Sequence, residues 1–499
     1  MADFDLAIIG GGINGTGIAR DAAGRGLRVL LVERADLASG TSSASTKLIH
    51  GGLRYLEHGA FLLVREALRE REVLLRNAPH IIRPMRFLLP PQPDIRSPFW
   101  LRLGLFIYDH LGGRKILPAT EVVDLKHNAL GEPLKRSDGF GFLYSDCWVD
   151  DARLVVLNAR DAADRGATIR TRTRCLRAER SDIWRLLLSE RDGRETVTAR
   201  VLVNAAGPWV GTVAESVVGI EGPSRVRLVK GSHIVVKRLF DHDAAYIFQN
   251  PDRRVVFALP YERDFTLIGT TDENFKGDPA DAAPSANEIA YLCDTASRYF
   301  RSPVGSSEIV HSFAGVRSLY DDGSRKPEDV TRDYHLDFDD RDGRAPLLTI
   351  YGGKITTYRK LAEAALRKFT DIFGSTRAWT ETAPLPGGDF PYDGVDAQVA
   401  QARRTWSFLD EDHARRLVRA YGTRIRDILG TAKGYDDLGV RFGADLTEAE
   451  LRYLMMREWA MDVDDVLWRR SKLGLRFSDS ERAALQRFMM ASTPLKAAE

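Results

Sequence analysis

The stretch Leu6-Ala-Ile-Ile-Gly10-Gly-Gly12-Ile-Asn-Gly15 decides the fold of this chain. An apolar strand leads into a glycine turn, and a helix follows. Gly10 permits the tight turn, Gly12 lets the backbone approach a phosphate, and Gly15 lets the helix pack closely on the strand. Glu33 ends the next apolar strand, where a carboxylate is placed to accept from a ribose hydroxyl. The stretch therefore predicts a dinucleotide site with the pyrophosphate at the helix N-terminus.

Length and composition limit the class of protein. A chain of 499 residues favours two or three domains. Its net charge of +2 is too small for non-specific binding to nucleic acid, so we expect no nucleic-acid partner. Three widely spaced cysteines, without paired spacing, favour neither a disulfide framework nor a metal site and are typical of a reducing compartment. We also expect no signal peptide and no transmembrane helix.

Two later segments repeat the passage from an apolar strand into glycine. Residues 199–209 end in Asn-Ala-Ala-Gly207-Pro-Trp, and residues 347–360 contain Tyr-Gly-Gly353-Lys. An NAD-binding domain usually forms one continuous block, whereas this chain returns to the nucleotide layer after long intervals. The intervening region, about 225–335, is rich in short strands. This order favours FAD over NAD and indicates a second domain inserted in the first.

The predicted fold is α/β, with a discontinuous FAD-binding Rossmann-like domain, an inserted α+β substrate domain and a C-terminal all-helical domain. The predicted FAD-binding segments are 1–80, 140–222 and 335–383. Residues 81–139 and 223–334 are assigned to the substrate domain, and 384–499 to the helical cap.

A loop rich in small hydroxyl residues follows Glu33. Its sequence, Ser39-Gly-Thr-Ser-Ser-Ala-Ser-Thr46, offers many hydrogen-bond donors and suits phosphate or polyol contacts. The alternative is a solvated loop whose serines cap helices. The next stretch, Lys47-Leu-Ile-His50-Gly-Gly-Leu-Arg54-Tyr55, combines basic side chains with two glycines that permit the close approach of a flat ligand.

Residues 96–115 mix aromatic, apolar and basic side chains, around the core Phe99-Trp-Leu-Arg-Leu-Gly-Leu-Phe106. This mixture suits a helix lying in a bilayer interface without spanning it. A buried core helix is an equal alternative.

Eight segments together resemble one family. They are IGGGINGTGIARDAAGRG, GTSSASTKLIHGGLRYLEHG, YSDCWVDDARL, VNAAGPWV, KGSHIVV, IGTTD, AGVRSL and YGGKITTYRKLAE. In this order they are similar to the FAD-dependent glycerol-3-phosphate dehydrogenases of bacterial aerobic respiration. The resemblance covers nearly the whole chain and implies a fold like that of D-amino-acid oxidase, with noncovalent FAD.

The same resemblance implies an activity and partners. The substrate would be sn-glycerol 3-phosphate, oxidised to dihydroxyacetone phosphate by hydride transfer from C2 to the flavin. Electrons would pass to ubiquinone or menaquinone. The protein would be a peripheral homodimer on the anionic cytoplasmic face of the inner membrane.

Residue roles follow from the chemistry and the family pattern together. A phosphate monoester needs cations and donors, which favours Arg54, Tyr55 and Arg332 with support from Thr270. Arg317 and Lys354 would stabilise charge that develops at the substrate hydroxyl and the flavin.

His233 is the candidate general base, and a hydrogen-bonded core histidine is the alternative reading of that residue. We expect no metal ligand, and the residues assigned to the cofactor are Gly10, Gly12, Gly15, Glu33, Ser42, Ser43, His50, Gly207, Gly353 and Thr357.

Three other functions fit parts of the pattern. A soluble glycerol-3-phosphate oxidase would use the same substrate residues but reduce oxygen. A non-catalytic protein would bind FAD for structure alone. An amine-oxidising flavoenzyme would need a carboxylate site in place of the phosphate site. The sequence leaves open the quinone site and the role of the C-terminal domain.

Overall fold

The structure is a computed structural model that describes residues 2–91, 98–190, 193–220, 225–252, 254–321, 333–340 and 343–492. The strands, numbered along the chain, are β1 (Phe4–Ile9), β2 (Val29–Val32), β3 (Leu48–Ile49), β4 (Ile82–Leu89), β5 (Glu121–Asp124), β6 (Phe140–Val149), β7 (Thr168–Arg170), β8 (Arg174–Arg180), β9 (Trp184–Glu190), β10 (Gly193–Asn204), β11 (Val226–Lys237), β12 (Ala245–Gln249), β13 (Val255–Tyr261), β14 (Phe265–Gly269), β15 (Glu273–Asn274), β16 (Ile309–Tyr320), β17 (His335–Asp339), β18 (Leu347–Tyr351), β19 (Arg441–Gly443) and β20 (Leu446–Thr447). The helices are α1 (Ile13–Gly24), α2 (Phe61–Asn77), α3 (Pro98–Leu111), α4 (Asp151–Asp164), α5 (Val210–Thr212), α6 (Ala286–Tyr299), α7 (Tyr358–Lys368), α8 (Thr370–Phe373), α9 (Val395–Thr405), α10 (Glu411–Tyr421), α11 (Ile425–Leu429), α12 (Glu448–Arg457) and α13 (Asp479–Ser492).

The opening strand lies at the centre of a mostly parallel sheet, ordered β17-β18-β10-β1-β2-β7. Ile9 at the end of β1 pairs with Asn204 of β10 and with Val32 of β2. Asn204 in turn pairs with Thr349 of β18. Strands of distant sequence therefore end at one edge, and the three glycine turns meet there. This arrangement confirms the predicted discontinuous nucleotide-binding fold.

Helices cover this sheet because their apolar residues face it. Helix α1 starts directly after the glycine turn and packs against α4 and α7. The side chain of Asp150 caps α4 by accepting from the Arg153 backbone N–H at 3.2 Å. The completely buried α1 residues Ile18, Ala19 and Ala22 belong to the same core as strands β1 and β2.

The second large sheet is mostly antiparallel and has the order β15-β11-β14-β13-β12-β4-β6-β3. Strand β16 pairs with β11, and β5 pairs with β6. Helix α6 packs on one face through Leu292 and Ala296, while α2 and α3 contribute to the core on the other face.

The hydrogen bonding of β6 disagrees with one of the predicted domain limits. Strand β6 begins at residue 140, which the sequence assigned to the FAD-binding segments, but it pairs with β4 along its length in the second sheet. Strand β3 also pairs with β6. Both strands therefore run from the first domain into the second sheet. The remaining domain limits stay predictions.

The C-terminal region departs from the predicted all-helical domain in one place. Residues Arg441–Gly443 and Leu446–Thr447 form a short antiparallel hairpin, β19 with β20. The hairpin is only a few residues long, and the strand signal was too short for sequence periodicity to detect. The rest of the described region consists of α9 to α13, shorter helical turns and connecting loops, around its own apolar core.

Buried ion pairs fasten the C-terminal region to the first domain. Arg470 donates to both oxygens of Asp36, at 2.6 and 2.7 Å, and Arg469 donates to one of them at 2.6 Å. Arg153 on α4 pairs with Glu458. Such contacts bring the segment after α12 next to the turn that follows Glu33.

Among the described helices, none combines the length and the apolar character needed to cross a membrane.

Candidate active site

A cavity of about 820 Å³ lies where the three glycine turns of the first sheet face the second sheet. Backbone and side chains from both sheets line it, and so does a segment of the C-terminal region. Of the residues predicted to bind cofactor, Gly10, Gly12, Glu33, Ser42, Ser43, His50, Gly207 and Gly353 line this cavity. Gly15 and Thr357 do not line the cavity.

The first glycine turn has the geometry that its sequence requires. Gly10 has φ +119°, and a Cβ there would lie 2.5 Å from the Ala205 carbonyl oxygen. A Cβ on Gly15 would lie 2.0 Å from the Gly10 carbonyl oxygen. At Gly12 the only close atom is the Ser42 Oγ, at 3.1 Å, because this glycine faces the cavity. The turn thus leaves room for a phosphate at the α1 N-terminus.

Glu33 lies at the predicted position beside this turn. Its carboxylate accepts from the backbone N–H of Gly11 at 2.7 Å and of Ala35 at 2.8 Å. Burial raises the pKa of the Glu33 carboxyl above its usual value, while these two bonds act in the opposite direction. Glu33 is only partly buried and lines the cavity, where its carboxylate could accept from a ribose hydroxyl.

The other two turns complete the site. Gly207 has φ +56° and an open Cβ position, and Gly353 has φ +96°. The Asn14 side chain, in the first turn of α1, donates to the Gly352 carbonyl at 3.1 Å and so joins the first and third turns. Three glycine turns, a helix N-terminus and an acid at one cavity fit the pyrophosphate and ribose of FAD.

The hydroxyl-rich loop is held by long-range contacts rather than by solvent. The Ser42 Oγ accepts from the Ile13 N–H at 3.0 Å, at the start of α1. Thr41 donates to the Val316 carbonyl of β16. Ser42 and Ser43 line the cavity, while Ser42 also satisfies a helix donor. Ser42 thus satisfies a donor at the start of α1, in line with the capping interpretation, while the binding of a ligand by these hydroxyls stays a prediction.

The predicted phosphate residues Arg54, Tyr55 and Thr270 and the predicted charge-stabilising residues Arg317 and Lys354 gather at the part of the cavity that faces the second sheet. The Lys354 ammonium lies 3.6 Å from the centre of the Tyr55 ring, a cation–π contact. Arg317 pairs with Asp272 and lies 3.4 Å from the Thr270 hydroxyl. The remaining phosphate candidate, Arg332, falls outside the described residues.

A glycine makes space for this cluster. A Cβ on Gly231 of β11 would lie 2.5 Å from the Thr270 hydroxyl and 2.8 Å from the Arg317 guanidinium. Behind these residues Glu288 of α6 binds the hydroxyls of Ser232 and Thr271, at 2.8 and 2.7 Å. Although burial acts to raise it, the Glu288 pKa is lowered to about 2 by hydrogen bonds, including that from Lys230.

His233 lies outside the cavity lining. It is 1% exposed, its ring stacks on Phe313, and its Nε2 lies 2.9 Å from the Thr46 hydroxyl. Burial, together with the charges of Arg317 and Lys47, lowers the pKa of the imidazole well below its ordinary value. The imidazole is therefore held in its neutral form, and its Nε2 faces the cavity-lining Thr46 rather than the cavity itself.

His50 and Thr357 both lie near the third glycine turn, but only His50 lines the cavity. The His50 backbone exchanges hydrogen bonds with the Thr356 hydroxyl, at 3.2 and 3.3 Å, which ties β3 to the start of α7. Thr357 is 1% exposed, and its N–H donates to the Lys354 carbonyl at 3.1 Å. Thr357 thus supports the turn, whereas His50 borders the cavity.

Sequence reasoning missed the contribution of the C-terminal region. Trp468, Arg469 and Lys472 line the cavity. The Trp468 ring stacks on His311 of β16, with ring centres 4.0 Å apart, and burial lowers the His311 pKa to about 4. The run Trp-Arg-Arg-Ser-Lys at 468–472 was the available signal, since it combines an aromatic residue with three cations.

No group of three or more possible metal-ligating side chains occurs within the ranges that the structure describes.

A discontinuous nucleotide-binding sheet, with a cationic cluster at the far end of its cavity, defines a flavin-dependent oxidoreductase. Residues 5–359 match the family described as FAD dependent oxidoreductase, and residues 378–493 match the C-terminal domain of alpha-glycerophosphate oxidase. The chain belongs to the FAD-dependent oxidoreductase family. The predictions of fold class, FAD and oxidoreductase class are confirmed, while the roles of individual residues stay predictions.

Close relatives span almost the whole chain. The glycerol-3-phosphate dehydrogenase of Pseudomonas aeruginosa is 51% identical over 494 residues, which cover 98% of this chain and 96% of that protein. The D-erythritol 1-phosphate dehydrogenase of Brucella abortus is 51% identical over 484 residues, 96% of each chain. The X-ray structure of the glycerol-3-phosphate dehydrogenase from Bacillus halodurans complexed with FAD has a TM-score of 0.75 and 26% identity, covering 98% of this chain and 94% of that one.

Proposed function

We propose that this protein oxidises sn-glycerol 3-phosphate to dihydroxyacetone phosphate with noncovalent FAD and passes the electrons to a membrane quinone. One observation carries the proposal: arginine, lysine, tyrosine and threonine side chains converge on the same cavity as the three glycine turns. A phosphate dianion needs such a set of cations and donors. The resemblance to glycerol-3-phosphate dehydrogenases over 98% of the chain supports this substrate.

The residues around the glycine turns would hold FAD. Gly10 and Gly12 leave the helix N-terminus open to the pyrophosphate, and Glu33 would accept from a ribose hydroxyl. When bound, FAD supplies the hydride acceptor for the oxidation. The backbone of the Gly207 and Gly353 turns would border the same cofactor from two other strands.

Arg54 and Tyr55 would bind the substrate phosphate, with support from Thr270 and with Arg332 as a further candidate, while Lys354 would stabilise charge that develops near the flavin. Arg317 is held by Asp272 and lies close to Thr270, so its guanidinium is fixed in direction before substrate arrives. From there it would orient the reacting hydroxyl and stabilise negative charge that develops on its oxygen. Neutral His233 would receive the hydroxyl proton.

D-Erythritol 1-phosphate is a second candidate substrate, because a dehydrogenase of that compound is as similar to this chain as the first relative. It is one carbon longer but has the same phosphate. Measuring kcat/KM for both compounds would separate the two candidates. A higher value for the four-carbon compound would change the substrate assignment and leave the reaction class unchanged.

An exposed apolar patch supports contact with a membrane. Phe99, Trp100 and Phe106 on α3 are 68%, 68% and 60% exposed, and Phe61 and Leu62 on α2 are 45% and 81% exposed. The opposite side of α3 is buried through Leu105 and Tyr108. The buried side agrees with the sequence interpretation of α3 as a core helix, and the exposed side supports the proposed interfacial role. Five large apolar side chains exposed to solvent on two neighbouring helices are typical of an interaction surface.

Liposome flotation tests this surface. Trp100→Glu should weaken binding to anionic vesicles and lower turnover with a membrane quinone, while flavin reduction by substrate stays unchanged. Met456→Glu is the matched control, because Met456 is 67% exposed but lies on α12, away from the patch. Equal vesicle binding by the wild type and Trp100→Glu would contradict membrane contact through α3. The proposed homodimer can be tested by light scattering of the purified protein.

A further inference from the structure

Thr46 lies between the cavity and the buried histidine. Its side chain lines the cavity and is partly exposed, whereas His233 is 1% exposed and is absent from the cavity lining. The Thr46 Oγ1 and the His233 Nε2 are 2.9 Å apart, a normal hydrogen-bond distance. A substrate hydroxyl in the cavity can therefore reach Thr46, and Thr46 reaches the imidazole.

The surroundings fix the imidazole in place. Its ring stacks on Phe313 of β16, at 4.9 Å between ring centres. A Cβ on the facing Gly269 of β14 would lie 2.1 Å from the ring, so this strand leaves only the space that the ring needs. The Nδ1 atom is buried and has no hydrogen-bond partner in the described parts of the chain. Nε2 is thus the nitrogen through which the ring can exchange a proton.

The loop that carries Thr46 is fixed as well. Asp151, at the start of α4, accepts from the Ser45 hydroxyl at 2.7 Å and from the Lys47 ammonium at 2.8 Å. The Lys47 N–H donates to the Ser45 Oγ at 2.9 Å. Lys47 has φ +60°, a conformation that a lysine adopts only where its surroundings enforce it. Both neighbours of Thr46 are therefore anchored by one buried carboxylate.

We infer that Thr46 is a further catalytic residue whose hydroxyl relays the proton of the substrate hydroxyl to Nε2 of His233. The inference rests on the proposed function. As the substrate C–H bond breaks and its hydride leaves to the flavin, the substrate O–H proton passes to the Thr46 Oγ1. The Thr46 proton passes to Nε2, which leaves a carbonyl product, a neutral threonine and an imidazolium.

The positive charges near His233 keep its imidazole neutral and also disfavour the imidazolium that the relay forms. Lys47 and Arg317 face the ring from the hydroxyl-rich loop and from β16, and together with burial they keep the imidazole unprotonated before the reaction. The relay requires the tautomer in which Thr46 donates to Nε2 and Nδ1 carries the ring proton. A substrate phosphate brings negative charge into the same cavity, which offsets the two cations when the imidazolium forms.

Three variants of the FAD-loaded protein test the relay. Thr46→Val removes the hydroxyl at nearly constant shape, and Thr46→Ser keeps it. The flavin reduction rate with sn-glycerol 3-phosphate, measured anaerobically by stopped flow, should fall by about 100-fold or more in Thr46→Val, within the usual range for general-base catalysis. Thr46→Ser should lose less than about 5-fold, and the substrate dissociation constant should change little. Adding His233→Gln to Thr46→Val should cause little further loss, since both act in one relay.

A second measurement does not depend on turnover. In ¹⁵N-histidine-labelled protein without FAD, Nε2 of His233 should be the unprotonated nitrogen, identified by loss of its signal in His233→Gln. In Thr46→Val this signal should move toward that of an imidazole nitrogen without a hydrogen bond. A protonated Nε2, or equal reduction rates for Thr46→Val and Thr46→Ser, would overturn the relay. Failure of wild-type flavin to be reduced by the substrate would instead overturn the proposed function.

Discussion

Asp36→Asn should loosen the C-terminal region from the flavin site. Asp36 is buried, and its carboxylate accepts from Arg469 once and from Arg470 twice, at 2.6 to 2.7 Å. Removing one partner of a buried ion pair costs about 3 to 5 kcal/mol, because the other charge is left without a counterion. Arg469 keeps its pair with Asp465, and Arg470 keeps its bonds to the Glu458 carbonyl. We therefore expect the lower limit, about 3 kcal/mol, or roughly 100-fold in the opening equilibrium.

Hydrogen exchange measures this opening directly, since it reports the local free energy of each segment. In Asp36→Asn the backbone amides of residues 465–477 should exchange roughly 100-fold faster, while those of β1 change little. Arg28→Ala is the control, because it removes an ion pair with Asp5 whose arginine is 54% exposed. An exchange rate within about 3-fold of wild type at 465–477 would refute the reasoning that these pairs hold the C-terminal region.

Three further changes have distinct expected results. Gly15→Ala should abolish FAD retention, since its Cβ would clash with backbone, whereas Gly104→Ala, which has open space, should retain the flavin absorption of wild type. Gly231→Ala should raise KM for the phosphorylated substrate with normal flavin content, because the new methyl group would displace Arg317; an unchanged KM in steady-state assays would contradict this. His80 is buried, and burial lowers its pKa to about 3. As the pH falls from about 6.5 to 3, the unfolded state binds a proton at His80 that the folded state does not. The free energy of unfolding therefore decreases by up to about 1.4 kcal/mol for each pH unit. In His80→Leu the free energy of unfolding, measured by denaturant titration, should depend less on pH. The same pH dependence as in the wild type would contradict this role of His80.

The sequence predicted the elements whose signals are local. The turn from Gly10 to Gly15 has its own strand and helix beside it, and a Cβ on Gly10, Gly11 or Gly15 would lie less than 3.0 Å from a neighbouring atom. The order of the three glycine turns predicted the discontinuous sheet, because parallel strands place their carboxyl ends at one edge. The convergence of Arg54 and Arg317 on one cavity was also expected from the family pattern.

Contacts between residues far apart in the chain could not be predicted from the sequence pattern. Asp151 is 104 residues from Lys47, and nothing near either residue predicts their ion pair. The same holds for Asp36 and Arg470, which are 434 residues apart. His233 could be identified as a titratable residue, but its burial behind Thr46 depends on how β11, β14 and β16 pack. Packing of this kind arises from the whole fold, so residues that support a site are harder to predict than those that line it.

The most direct test of the account is the anaerobic absorption spectrum of the purified protein before and after addition of sn-glycerol 3-phosphate. The account predicts an oxidised flavin spectrum that the substrate bleaches, with dihydroxyacetone phosphate formed in an amount equal to the flavin reduced. A protein that binds no FAD, or whose bound flavin keeps its oxidised spectrum after the substrate is added, would contradict it.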